Sequence, residues 1–181
     1  MDDLAAAELR AERIRIWNPL VVPLLLQTAD YTEGLLSGPL GQPTPEALAA
    51  YRAVHRRRKR HALDGGLPVR AVLGEGALRA RVGSPEAMRA QWQHLLDLPE
   101  TCVLQVLTFE AQAQGRAPFM LLDLPTGPAV YLEGYREGFE TGPDRVRPHT
   151  QRFEHLSGQA LTPAGSAEFL SGLLRRGAGK P

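Results

Sequence analysis

The spacing of hydrophobic residues predicts helices at both ends of the chain. Within residues 2–16, Leu4, Ala7, Ala11 and Ile14 recur three or four positions apart, with acidic residues early and arginines late. This order is typical of an amphipathic helix whose charges suit its dipole. The same criteria predict further helices over residues 30–36, 45–63, 76–82, 85–98, 144–156 and 163–174.

Short apolar and β-branched runs predict a sheet in the middle of the chain, with strands over residues 69–73, 103–109, 119–124 and 129–133 and a weaker one over 135–141. A Thr-Gly-Pro turn at 126–128 predicts a hairpin between the third and fourth of these strands. We therefore expect one α+β domain with a small, largely antiparallel sheet of three to five strands. It would span residues 1–181, helical over 1–66, strand-rich over 67–141 and helical over 142–175.

The composition is that of an ordinary globular domain. Of 181 residues, 43% are hydrophobic and 23% charged. The single cysteine, Cys102, excludes an internal disulfide framework and a multi-cysteine zinc site. The longest apolar run, residues 20–26, is far too short to cross a membrane, and acidic Asp2 and Asp3 stand where a secretion signal would be basic. We expect a cytoplasmic protein without membrane contact.

Positive charge is concentrated in one segment. Residues 51–81 hold nine Lys or Arg and two acidic residues, a charge of +7, whereas the whole chain carries only +1. The segment either binds an anion, such as nucleic acid, phosphate or carboxylate, or forms a solvated face. Five consecutive cations at 56–60 point all around a helix, so some must approach the core and meet a buried acid or a bound anion.

No spacing indicates a metal site, a cofactor or an activated nucleophile. His55 and His61 are six residues apart, as are His149 and His155, and helical metal pairs need three or four. Cys102 has no neighbouring base and is expected to be a small buried hydrophobe. We therefore expect neither a metal nor a cofactor.

Three carboxylates follow predicted strands. Glu75, Glu110 and Glu133 each stand at or just beyond a strand end. Strand ends can converge on a pocket, where burial would raise a carboxyl pKa for acid–base work. In the alternative, each is a surface residue or the partner of a nearby arginine.

Several ordered stretches resemble one protein family. The sequence PLLLQTADY at 23–31 resembles the PGLLQT..Y signature of a domain of unknown function in actinobacterial, antitoxin-like Xre-family transcriptional regulators. Later stretches match in the same order: VLGEGALR at 72–79, Met88 with Gln91 and Leu95, QVLTF at 105–109, VYLE at 130–133, and Phe153 with Leu156 and Leu161.

The resemblance implies a regulatory or sensor domain that works with a helix-turn-helix module and a small partner protein. Only one predicted helix precedes the first signature, so we expect no helix-turn-helix here and no direct DNA binding. The sequence departs from the family pattern at Leu24, at Lys59 with Arg60, at Thr108, and at Gln112 with Gln114. We expect a retained scaffold with an altered binding surface, since loops and turns usually carry binding residues.

Three hypotheses of function follow. The first is a regulatory domain that binds a small molecule or small protein in a pocket between the sheet and the N-terminal helices. The sequence is compatible with a dimer of this domain. Its candidate ligand-binding residues are Gln27, Tyr31, Arg56, Lys59, Arg60, Gln91, Gln105, Glu110, Gln112 and Gln114.

The second hypothesis is a cofactor-independent enzyme of a specialised biosynthetic pathway, of cyclase, isomerase or lyase type. Glu75, Glu133 and Tyr131 would then carry the acid–base chemistry. The third is nucleic-acid binding through residues 56–60. The small net charge and the 6% aromatic content weigh against this third hypothesis, because base stacking needs aromatic platforms.

Overall fold

Six strands form one mixed sheet at the centre of the molecule. The computed structural model describes residues 2–37, 43–111, 117–133 and 138–177. Its strands are β1 (Arg13–Asn18), β2 (Val69–Gly74), β3 (Cys102–Leu107), β4 (Phe119–Leu124), β5 (Gly127–Leu132) and β6 (Gly138–Thr141). They lie in the order β3-β2-β1-β4-β5-β6. The three strands β1, β2 and β3 are parallel, and β4, β5 and β6 add three antiparallel pairings.

Seven α-helices lie in the described part of the chain: α1 (Asp2–Glu8), α2 (Ala29–Leu36), α3 (Pro45–Lys59), α4 (Glu75–Arg79), α5 (Pro85–Leu96), α6 (Pro143–Gln159) and α7 (Pro163–Gly177). A 3₁₀ turn, Leu24–Leu26, precedes α2, and a π-helical turn, Arg60–Asp64, continues α3. The hydroxyls of Thr44 and Ser84 accept the N–H of Ala47 and Ala87, so α3 and α5 begin with side-chain caps.

The predicted N-terminal helix over residues 2–16 is wrong beyond Glu8, because β1 follows it. In the sequence RIRIWN the side chains alternate between the two faces of the sheet, and both faces are covered. Ile14 and Ile16 enter one hydrophobic core, and Trp17 enters the other. Ile14 fits both the three- to four-residue spacing of a helix and the two-residue alternation of a strand. For this reason the predicted helix extended into β1.

The predicted small antiparallel sheet of three to five strands is also wrong. The molecule is α+β with a six-stranded mixed sheet. The strand missing from the prediction is β1, which lies between β2 and β4. Helices α2 and α3 connect β1 to β2, and α4 and α5 connect β2 to β3. Such crossovers return the chain to the starting edge of the sheet, so consecutive strands run parallel. The hairpin between β4 and β5 is confirmed.

The sheet separates two unequal cores. On one face, which we call the helix-rich face, the core takes apolar side chains from α1, α2, α4, α5 and α7. On the opposite face, α6 supplies Val146, Phe153 and Leu156 against Trp17 and Phe119. Helix α6 is also attached by polar contacts, because Glu154 lies 3.7 Å from Arg15 and 3.4 Å from Arg70.

A close backbone contact at the end of β2 gives a test of this topology. A Cβ atom added to Gly74 would lie 2.8 Å from Pro19 Cα and 2.9 Å from Pro19 O, and neither backbone atom can move aside easily. We expect Gly74→Ala to lower the free energy of unfolding by about 1–3 kcal/mol in urea denaturation, as overpacking does. Gly138→Ala on β6 is the control, because no atom lies within 4 Å of its added Cβ. Equal stabilities for the two variants would contradict this arrangement.

Candidate ligand-binding pocket

A pocket of about 350 Å³ lies at the carboxyl end of β1, on the helix-rich face of the sheet. Strands β4 and β5 form one wall, the turn after β1 forms another, and α1, α2 and α3 close the remaining side. The lining residues are Leu4, Asn18, Val21, Val22, Pro23, Leu24, Gln27, Leu35, Tyr51, Arg58, Met120, Tyr131 and Glu133. Its volume and its mainly apolar wall with a few polar groups are typical of small-molecule sites.

A buried ion pair includes Arg58, the most buried charged side chain of the pocket wall. Arg58 of α3 donates from Nε to Glu8 Oε2 and from Nη2 to Glu8 Oε1, both at 2.5 Å. The Arg58 side chain is 4% exposed and the Glu8 side chain 2%. This bidentate ion pair joins the end of α1 to α3. It neutralises a guanidinium that would otherwise be buried with its charge uncompensated.

A second polar pair lies at the carboxyl end of β1. Asn18 donates from Nδ2 to Glu133 Oε2 at 3.2 Å, across the sheet from β1 to the end of β5. Its Oδ1 accepts the N–H groups of Leu20 at 3.1 Å and Val21 at 3.2 Å. Asn18 therefore fixes both the turn after β1 and the position of the Glu133 carboxylate.

Two tyrosines complete the polar part of the wall. Burial raises the pKa of Tyr51, the charge of Arg58 lowers it, and the charge of Glu133 raises it again. The Tyr51 phenol therefore lies close enough to Arg58 and Glu133 for their charges to act on its pKa. It remains neutral at physiological pH. The ring of Tyr131 packs against Phe139 of β6, with 5.0 Å between centroids.

Three of the predicted site residues meet at this pocket: Gln27, Tyr131 and Glu133. Both ends of the Gln27 amide are already engaged, because its Nε2 donates to Val22 O and its Oε1 accepts the hydroxyl of Thr32, both at 2.7 Å. It supports the wall. Tyr131 and Glu133 are the predicted residues that present functional groups to the cavity.

Two other predicted ligand residues are structural. Tyr31 is fully buried, and its hydroxyl oxygen accepts the N–H of Val22. Gln91 of α5 is equally buried; its Oε1 accepts the N–H of Thr28 at 2.7 Å and its Nε2 donates to Leu26 O at 2.8 Å. Both side chains hold the segment between β1 and α2 in place, which shapes the pocket from outside.

The carboxylates that follow β2 and β3 do not converge with Glu133. Glu75 accepts Arg79 Nε at 2.5 Å and the backbone N–H of Phe109 at 3.0 Å, so it joins the ends of β2 and β3. Glu110 is exposed. Neither lines the pocket, so of the predicted catalytic residues only Glu133 and Tyr131 lie together there.

The remaining predicted residues are dispersed. Gln105 lies on the α6 face, where it bonds Ser157 and Leu161. Arg56 and Arg60 are exposed on α3 and its continuation, and Lys59 is half-buried. Gln112 and Gln114 lie outside the described residues.

The pocket also contains residues that sequence analysis missed. Arg58 lies between two predicted residues, and the requirement that some cations at 56–60 face inward was the signal that could have selected it. Glu8 and Asn18 lay in or beside a segment predicted to be helical, which concealed their proximity to the sheet. Tyr51 carried no signal beyond its place two turns before Arg58 on the same face of α3.

The chain belongs to the family described as Domain of unknown function (DUF5753), which matches residues 1–172. No curated protein and no solved structure matches it significantly. The resemblance to Xre-family regulators, and the absence of a helix-turn-helix, stay predictions.

Two observations concern the described residues alone. None of the helices in that part of the chain is both long and apolar enough to span a bilayer. In the same part, no three His, Cys, Asp or Glu side chains are grouped so that they could hold a metal ion. Burial raises the pKa of Cys102 to about 12, so its thiol is not an activated nucleophile.

The ion pair between Glu8 and Arg58 can be tested by a single and a double substitution. Glu8→Gln leaves the Arg58 charge buried without a counter-charge, and we expect it to cost about 3–5 kcal/mol of stability in urea denaturation. The double variant Glu8→Met with Arg58→Met removes both charges and should be much closer to the wild type. A loss below about 1 kcal/mol for Glu8→Gln would show that the pair is not buried as described.

Two histidines, His55 of α3 and His94 of α5, make stability depend on pH. Burial lowers the pKa of His94 to about 4; the charge of Lys59 adds to the effect, Asp97 opposes it, and His55 adds slightly. Burial also lowers the pKa of His55. Among the described residues, the Nε2 atoms of His55 and His94 have no hydrogen-bond partner.

Between pH 6.5 and about 4, unfolded His94 is protonated and folded His94 is not, so stability falls as the pH drops through this window. We expect His94→Gln to flatten the decline of melting temperature between pH 7 and pH 4. Exposed His155 provides the control variant, His155→Gln, which should keep the wild-type slope. An unchanged slope in His94→Gln would contradict the assignment.

Proposed function

We propose that this chain is a small-molecule-binding sensor domain and that its ligand occupies the pocket at the carboxyl end of β1. The observation that carries the proposal is the pocket itself, about 350 Å³ of mainly apolar surface with the polar groups of Asn18, Tyr51, Tyr131 and Glu133 on its wall. Pre-formed concave sites of this size and polarity are where proteins hold small organic ligands.

The charges in the pocket indicate the kind of ligand. Glu8 forms a bidentate ion pair with the Arg58 guanidinium, so the positive charge of Arg58 is already compensated within the protein. The wall also carries carboxylate, amide and phenol groups, which can accept and donate hydrogen bonds. We infer a ligand with an apolar body and hydroxyl or amine groups that bond to Glu133 and the two tyrosines.

A sensory role is supported by the way in which the pocket walls are joined to one another. Its walls come from α1, α2, α3, β1, β4 and β5, which are distant in sequence and are held by the Arg58–Glu8 and Asn18–Glu133 pairs. A ligand that contacts several of these elements would change their relative stability, which is the physical requirement for signalling. The sequence resemblance to transcriptional regulators points in the same direction.

One observation favours catalysis as the second candidate. Glu133, Tyr131 and Tyr51 line the same cavity, so a carboxylate and two phenols border the space in which acid–base chemistry on a bound molecule would occur. Glu75 would have no direct part, because its oxygens are bonded to Arg79 and Phe109. In this case Glu133→Gln should abolish product formation, whereas Glu110→Gln at the exposed position should not.

The binding proposal is tested with a thermal-shift screen of a defined metabolite library against two matched variants. Leu35 of α2 lines the pocket, whereas Leu20 is 63% exposed and lies outside it. A bound compound at a hundredfold excess over its Kd should stabilise the wild type by about 2.7 kcal/mol. Leu35→Trp fills the cavity and should remove this stabilisation, and Leu20→Trp should retain it.

Two results would contradict the proposal. One is that no compound stabilises the wild type, and the other is that Leu35→Trp responds to a hit as strongly as Leu20→Trp does. For each hit, mass spectrometry of the recovered compound separates a sensor from an enzyme. Conversion that depends on Glu133 would establish catalysis, and unchanged compound would support the sensory function.

A further inference from the structure

A second cavity, of about 550 Å³, is surrounded by arginines. It lies where the segment after α4 meets the start of α5 and the last turn of α7. Arg79 and Arg81 come from the segment around the end of α4, Arg89 from α5 and Arg176 from α7. No carboxylate lines this cavity, so it differs in charge from the pocket at β1.

Three of the four guanidiniums have no carboxylate within 4.0 Å in the described part of the chain. Arg79 pairs with Glu75 and lies over the ring of Phe169, 5.4 Å from its centroid. For Arg81, Arg89 and Arg176, no acidic side chain in the described ranges comes within 4.0 Å. A hydrogen bond to its own backbone and, to a lesser extent, the charge of Arg89 do lower the pKa of the exposed Glu86.

Like charges that share a cavity repel each other, and an anion placed among them relieves this repulsion. Guanidinium groups bind phosphate through paired N–H donors, so several of them around one space favour a phosphorylated ligand over a simple carboxylate.

The wall also offers an apolar surface. Met88 and Trp92 both line the cavity, and Met88 is buried. Trp92 Nε1 donates to Leu78 O at 3.0 Å, which fixes the position of the indole. A flat ring system can pack against this indole while the phosphate meets the arginines.

We propose that this cavity binds a small organic phosphate that carries an aromatic ring, of the size of a nucleotide. Its volume lies within the usual range for small-molecule sites of about 300–1,000 Å³. A nucleic-acid strand would need an extended basic track with several aromatic platforms, whereas these residues form a single concave site with one indole. The proposal is independent of the pocket at β1.

Tryptophan fluorescence gives a direct readout, because the chain has two tryptophans and they lie in different places. Trp92 lines the cavity, and Trp17 is fully buried in the core against α6. Titration of the full chain with ATP, with inorganic pyrophosphate and with a twelve-residue single-stranded oligonucleotide should give saturable quenching by ATP. Trp92→Phe should abolish this signal, and isothermal calorimetry on the same variant would show whether binding remains.

Adjacent arginines on α7 provide matched variants. Arg176 lines the cavity and Arg175 does not, although both are exposed in the same helical turn. We expect Arg176→Gln and Arg81→Gln each to weaken ATP binding about tenfold by calorimetry, the effect of losing one charge-assisted contact. Arg175→Gln should bind as the wild type does, and pyrophosphate should bind more weakly than ATP.

Three outcomes would overturn the proposal. The first is the absence of saturable ATP binding, and the second is an equal loss in Arg175→Gln and Arg176→Gln. The third is an oligonucleotide that binds much more tightly than ATP, with a steep dependence on salt, which would assign this surface to nucleic acid. Unchanged melting temperatures in the Gln variants confirm that any loss concerns binding and not folding.

Discussion

The central position of β1 is the constraint on which the rest of the structure depends. This strand pairs in parallel with β2 on one side and antiparallel with β4 on the other, so it joins the two halves of the sheet. Ile14 and Ile16 anchor one core and Trp17 anchors the other, which means that both helical layers are positioned against the same six residues. A strand covered on both faces tolerates no slip in register, because a shift by one residue would exchange the two cores.

The pocket at the end of β1 follows from that constraint. Where β1 stops, Asn18 turns the chain with its side-chain oxygen and holds Glu133 with its amide, so the same residue ends the strand and begins the site. Beside this cavity the Arg58–Glu8 pair joins α1 to α3. Buried ion pairs contribute little net stability compared with apolar packing, but they specify one arrangement of the groups that they join.

The basic segment serves three different purposes in the fold. Arg58 is turned inward and neutralised, Arg56 and Arg60 remain in solvent, and Arg79 and Arg81 approach the end of α7. The sequence carried the prediction that some cations at 56–60 must face the core. It could not say which one, since the choice depends on where Glu8 lies. The dispersed roles of Gln27, Gln91 and Gln105 have a similar cause: a buried amide must be hydrogen-bonded, and backbone groups nearby satisfied all three.

The sequence by itself determined the elements whose signals are local. Helices with a Ser or Thr cap and a following proline, such as α3 and α5, and the hairpin between β4 and β5 were predictable, because their causes lie within a few residues. Tertiary structure alone decided that residues 13–18 form the central strand, and it alone brought Asn18 to Glu133 and Arg58 to Glu8. The physical reason is that the partners of these residues are 50 or more positions away, so burial and pairing across the sheet override the preference of the local chain.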